Sequence, residues 1–226
     1  MGISEINERI NQLEQGALNF LFPRHCPFCG AIPDKKQLMC AACEKTLPFT
    51  GERAQRERPW GRAAAPLYYE GTVRKALLDF KFKGRMGGLP CFGSLMAQCA
   101  AEEFSGGFDA VTWVPVSRKR LRKRGFDQAR YLAGSLCVEW HTEPQETLRK
   151  TVDNPAQSGL EDAAARRANV LGVYEAVKPE NIRGKRFLLI DDICTTGATL
   201  AECARVLRQA GAADVLCLTL AMSREE

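Results

Sequence analysis

Asp191 and Asp192 stand side by side after the apolar run Phe187 to Ile190, and Thr195, Thr196, Gly197, Ala198 and Thr199 follow almost at once. Ionised carboxylates only accept hydrogen bonds, so the pair suits a diol or a bound cation and would repel a phosphate placed directly on it. Gly197 permits close backbone approach. The threonine hydroxyls, with amides at a helix N-terminus, can cradle a phosphate. The stretch therefore asks for a phosphate and a polyhydroxylated sugar close together.

Four cysteines form a second chemical signal. Cys26 and Cys29 make one C-x-x-C knuckle and Cys40 and Cys43 another, ten residues apart. Each short spacer lets two thiolates reach one ion, and two knuckles complete the tetrahedral set of a structural Zn²⁺ site. Gly30 fits the tight turn that such a site needs. A redox dithiol pair is the main alternative, and His25 is a neighbour rather than a needed ligand.

The third signal is a cationic run, Arg118, Lys119, Arg120, Leu121, Arg122, Lys123 and Arg124, in which six of seven residues are basic. Runs of this kind are often only solvated faces. This one directly follows Asp109 to Val116, which reads as a strand, so it falls at a strand end on the same edge as the threonine loop and suits a polyanion.

The elements that position these groups read as an α/β unit. Phe187 to Ile190 suits a strand buried on both faces. Leu200, Cys203, Val206, Leu207 and Ala210 recur at helical spacing until Gly211, and Asp214 to Met222 reads as the next strand. Ligands of such a unit bind beyond the carboxyl ends of its strands. Upstream, a strand at Leu67 leads into an amphipathic helix over Val73 to Phe82 with a basic exit. Leu148 to Thr151 and Gly172 to Val177 are expected as further members of the sheet, with the polar, turn-rich stretch Thr151 to Leu160 between them.

With 226 residues and 45% hydrophobic content, the chain has room for one medium domain and an appendage. Its net charge of +5 is compatible with polyanionic partners without requiring one. The first residues lack the apolar core of a secretory signal, and no stretch approaches the roughly 18 apolar residues of a membrane span. A cytoplasmic, reducing location is expected. The predicted boundaries are an N-terminal amphipathic helix over 1–21, a zinc-ribbon module over 22–50, a linker over 51–62 and the main domain over 63–226. The N-terminal helix is expected to dock or dimerise.

The strand, the aspartate pair and the Thr195 to Thr199 loop resemble the type I phosphoribosyltransferases. Taken with the Cys₄ knuckles, the PVSRKRLRKRGFDQA run and the VDNPAQSGL and RRAN segments, all in order, the chain more narrowly resembles the ComF family. The resemblance implies a type I phosphoribosyltransferase-like parallel sheet flanked by helices and preceded by a small Cys₄ zinc ribbon. It implies that Thr195, Thr196, Gly197, Ala198 and Thr199 hold the 5-phosphate of 5-phosphoribosyl-1-pyrophosphate (PRPP). Asp191 and Asp192 would hold the ribose hydroxyls, with Mg²⁺ on the pyrophosphate, and a mobile loop after Thr151 would close over the site.

Arg118 and Lys119 are then placed to neutralise the leaving pyrophosphate, so Asp191, Asp192 and Arg118 form the expected catalytic set. Some members of the family are linked to handling internalised single-stranded DNA. Single-stranded DNA and competence-machinery proteins are therefore expected partners, with Arg122, Lys123 and Arg124 as the nucleic-acid contact. No base-binding hood is recognisable. Two readings follow: a pentosyl transferase with an unnamed nitrogen acceptor, or a non-catalytic PRPP-binding module that binds nucleic acid or regulates.

Overall fold

The computed structural model describes residues 24–34, 37–58, 60–153 and 169–224. The expected N-terminal helix and most of the expected mobile loop lie outside them. A six-stranded sheet is built from β1 (Gln55–Arg58), β2 (Gly61–Ala64), β3 (Leu67–Tyr68), β4 (Ala110–Trp113), β7 (Arg186–Cys194) and β8 (Asp214–Met222). Its order is β1-β2-β8-β7-β4, with β3 also on β8. Every pairing is parallel except β1 with β2. Pro66 lies between β2 and β3, which dock on successive parts of β8; having no N–H to give, it marks the break in what is otherwise one strand.

Alternation along β7 builds two cores. Leu188 and Ile190 face one cluster, and Phe187 and Leu189 the other, all at 0% exposure. The first cluster is roofed by α2 (Gly71–Lys83), α3 (Leu89–Glu103) and α5 (Gln128–Glu139), which contribute Val73, Leu77, Phe80, Phe92, Met96, Leu132 and Leu136. The second is covered by α6 (Ala198–Gln209) through Leu200, Cys203 and Leu207.

Two expectations about segments change. Leu148 to Thr151 and Gly172 to Val177 do not join the main sheet. They contribute β5 (Leu148–Lys150) and β6 (Tyr174–Ala176), a separate antiparallel ribbon. Each of these strands has an exposed central residue between more buried neighbours, which suits a ribbon with one wet side better than a sheet covered on both faces. The segment 51–62, read as a linker, carries a 3-10 turn, β1 and the start of β2.

The cysteine segment shares the first core. Cys26, Phe28, Cys43 and Leu47 belong to the same buried cluster as the sheet and its helices, and α1 (Ala41–Thr46) carries Cys43. A side chain at Gly88 would meet Pro27 and Phe92 at 2.7 and 2.9 Å, so glycine is what lets the first knuckle approach α3 this closely. Phe28, Phe92, Phe80, Phe126 and Tyr131 then follow one another in ring contacts of 5.6–6.0 Å between centroids.

Candidate functional site

Strand β7 does not stop at the aspartates. It continues to Cys194, paired with Met222, so Asp191 and Asp192 sit within its last rungs of pairing. Alternation starts consecutive side chains toward opposite faces, yet the two carboxyl groups stay within hydrogen-bonding reach of each other at the strand end. On the first face, Asp192 Oδ2 accepts a 2.7 Å charge-assisted hydrogen bond from Lys81 Nζ on α2, with the two side chains 9% and 25% exposed. Burial would push the Lys81 ammonium down, but the ion pair with Asp192 prevails and holds it above the usual lysine range. Asp191 takes the amide N–H of Asp192 on its Oδ1 at 2.8 Å. Removal from water, and then the adjacent Asp192, push its carboxyl well above the usual carboxylate range.

The cationic run forms helix α4 (Arg118–Arg124), started by Ser117, whose Oγ accepts from the Arg120 amide. Helical spacing sorts the cations. Arg118, Lys119, Arg122 and Lys123 are exposed, whereas Arg120 and Arg124, one turn apart, are partly buried. Arg124, expected beside Arg122 and Lys123 in a nucleic-acid track, turns inward. Its guanidinium lies in the field of Asp192 and 5.2 Å from the centre of the Phe82 ring. Lys119 pairs with Asp153 at 3.5 Å, and Asp153 also accepts from the Ser117 hydroxyl. Strands β4 and β7 run parallel in register, so α4 and the threonine loop do leave the same edge of the sheet.

The loop itself pivots on Gly197, which adopts the left-handed conformation (φ 74°) that opens α6. The Trp60 ring packs so closely on Gly197 that a Cβ has no room there. Thr196 Oγ1 accepts from the Ala198 amide at 3.4 Å, while Thr195 is exposed. Behind the loop, a cavity of about 610 Å³ lies between Trp60, Val170, Leu171 and the outer face of α6, away from the aspartates.

Three polar residues near the pair are not evident from the sequence. Lys81 shares a helical face with Leu77 and Phe80, and that spacing is the signal that could have brought it inside rather than leaving it as a basic exit. Asp127 caps α5 and accepts from the amides of Val116 and Arg130 at 3.0 and 3.3 Å; burial raises its carboxyl. Lys150, at the root of the ribbon, is 8% exposed with its ammonium 5.3 Å from the Tyr174 ring centre, and burial brings it down to about 8.

The four cysteine ligand atoms lie within 4.8 Å of one another, and Cys29 and Cys40 sulfurs are 3.4 Å apart. A tetrahedron with Zn–S bonds of about 2.3 Å has edges of roughly 3.8 Å, so the set fits one such ion. Burial opposes ionisation of Cys26, yet backbone amides of Cys40, Cys29 and Phe28 bring its thiol down to about 7, which favours the thiolate that a metal takes. Among the described residues, no helix is long and apolar enough to cross a membrane.

Residues 17–55 match the double zinc ribbon domain, and residues 123–226 match the phosphoribosyl transferase domain. The DNA utilization protein YhgH of Escherichia coli O157:H7 is 28% identical over 86% of this chain and 84% of its own length. The competence protein ComFC of Bacillus subtilis is 28% identical over 88% of this chain and 78% of its own, and the competence protein F of Haemophilus influenzae 31% identical over 47% of each. Among solved structures, glutamine phosphoribosylpyrophosphate amidotransferase from B. subtilis has a TM-score of 0.42 at 22% identity, covering 63% of this chain and 30% of that one. The chain thus carries a double zinc ribbon followed by a phosphoribosyl transferase domain, and along most of its length it is similar to proteins named for DNA utilization and competence.

Proposed function

We propose that the chain binds PRPP at the carboxyl end of β7 and couples that site to the handling of single-stranded DNA. The observation that carries the reading is the junction of β7 and α6. Acidic acceptors stand just before a glycine-pivoted loop that opens a helix, so a sugar diol and a phosphate have adjacent, chemically opposite partners. Asp191 and Asp192 accept from the ribose hydroxyls. Residues Thr195 to Thr199 hold the 5-phosphate through backbone amides and hydroxyls.

Around the pair, Lys81 and Arg124 offset the negative charge that would otherwise repel a polyphosphate, and Arg118 and Lys119 at the head of α4 face the pyrophosphate. Mg²⁺ bound with the pyrophosphate would supply further charge neutralisation. In the transferase form of this reading, the bond from the anomeric carbon to the pyrophosphate oxygen breaks, a nitrogen of the acceptor bonds to that carbon, and pyrophosphate leaves. The protein's share is orientation and electrostatic stabilisation of the leaving group. The names of the relatives, which speak of DNA utilization and competence, support a role beside nucleic acid. The Cys₄ set would hold a structural Zn²⁺ ion.

Calorimetry with PRPP and Mg²⁺ tests the site. Replacing both aspartates (Asp191→Asn with Asp192→Asn) should weaken binding by about tenfold or more, since shape is kept and charge is lost. Asp191 is held protonated to higher pH than a free carboxylate, so wild-type affinity should rise with pH as it ionises. Asp191→Asn alone should remove that part of the rise. Equal affinity in wild type and the double variant would discard the assignment.

A further inference from the structure

We propose that Phe82, capped by the Arg124 guanidinium, is a stacking platform for a base of single-stranded nucleic acid at the mouth of the aspartate site. The inference rests on the nucleic-acid reading above and gives it a place. Phe80, Phe92 and Phe126 are 1%, 1% and 7% exposed and locked against one another, whereas Phe82, two residues from Phe80 on the same helix, is 63% exposed. A single exposed phenylalanine is ordinary. This one has a guanidinium 5.2 Å from its ring centre, and that guanidinium is steadied by a 3.1 Å hydrogen bond from Nη1 to Gln128 Oε1.

Position and charge point to the partner. The residue before Phe82 is Lys81, whose ammonium bonds Asp192, and Arg124 lies in the field of the same carboxylate, so the ring stands one side chain away from the acidic pair. Its rim is cationic. Lys83 and Arg85 share the single carboxylate of Asp79, which leaves a positive surplus, and the exposed Arg122 and Lys123 continue the rim along α4. An aromatic face within a cationic track fits a flexible strand with unpaired bases, because every base offers a π-face and every link a phosphate. A duplex keeps its base faces stacked and would meet only the rim. Arg124 belongs to both sites, so occupancy of one should alter affinity for the other, equally in both directions.

The test uses the full-length, zinc-loaded chain and a fluorescently labelled oligothymidylate of about twelve nucleotides, followed by anisotropy across a salt series. Phe82→Ala should weaken binding by about tenfold, and Phe82→Trp should keep or strengthen it. The salt slope should be the same in Phe82→Ala as in wild type, because a ring releases no counterions. PRPP affinity should be unchanged in Phe82→Ala, which separates this platform from the sugar-phosphate site. If Phe82→Ala binds the strand as wild type does, the platform is overturned while the nucleic-acid reading survives. If wild type fails to bind the strand even at low salt, that reading falls and the platform falls with it.

Discussion

Lys81 shows what one side chain contributes beyond the matched domains, since it lies between the double zinc ribbon match and the phosphoribosyl transferase match. Lys81→Met leaves Asp192, 7% exposed, without its counter-ion, and should lower stability by about 1–2 kcal/mol at neutral pH. The folded-state ammonium is held above the usual lysine range, so its contribution is complete below that range and lost as pH rises through the folded value. Denaturation of the two proteins should therefore differ at neutral pH and converge in strongly alkaline solution. Lys81→Arg should recover most of the loss. At this scale the aspartates, threonines and cysteines were legible because their chemistry lies in local spacing. Lys81 and Lys150 were not, because their partners are separated from them by whole elements.

Helix α4 is where the linear run and the folded element part company. As a sequence the run splits by position, with Arg118 and Lys119 near the strand end and Arg122, Lys123 and Arg124 beyond. As a helix it splits by face, and Arg124 goes inward with Arg120. Arg122→Gln with Lys123→Gln should lower single-stranded DNA affinity and flatten the salt slope by about 0.7 for each phosphate no longer neutralised, leaving PRPP affinity alone. Arg120→Gln with Arg124→Gln should weaken PRPP binding as well. Titrations of both ligands on both variants check the split. The strands β4, β7 and β8 and helices α2 and α6 were readable because buried runs and helical periods are long there. The ribbon β5–β6 was not, since three-residue strands carry too short a period to say which sheet they join.

For the whole molecule, the cysteine segment and the sheet share one buried cluster, with Phe28 seated on Phe92. Cys26→Ser with Cys29→Ser should release close to one zinc per chain and lower the melting temperature of the entire protein by about 10 °C, rather than freeing a separate module. Metal analysis and calorimetry on the same samples would show it; an unchanged main transition would mean that the two parts unfold independently. The placement of the aspartates has its own consequence at this scale. Because the two carboxyl groups stay within reach of each other at the end of β7 while Lys81 ties Asp192 to α2, a ligand gripped by them and by the loop that opens α6 would act as a clasp over the end of the sheet. It ties the layer carrying α2 to the layer carrying α6 and the ribbon, so amide exchange should slow on both sides at once when the ligand arrives.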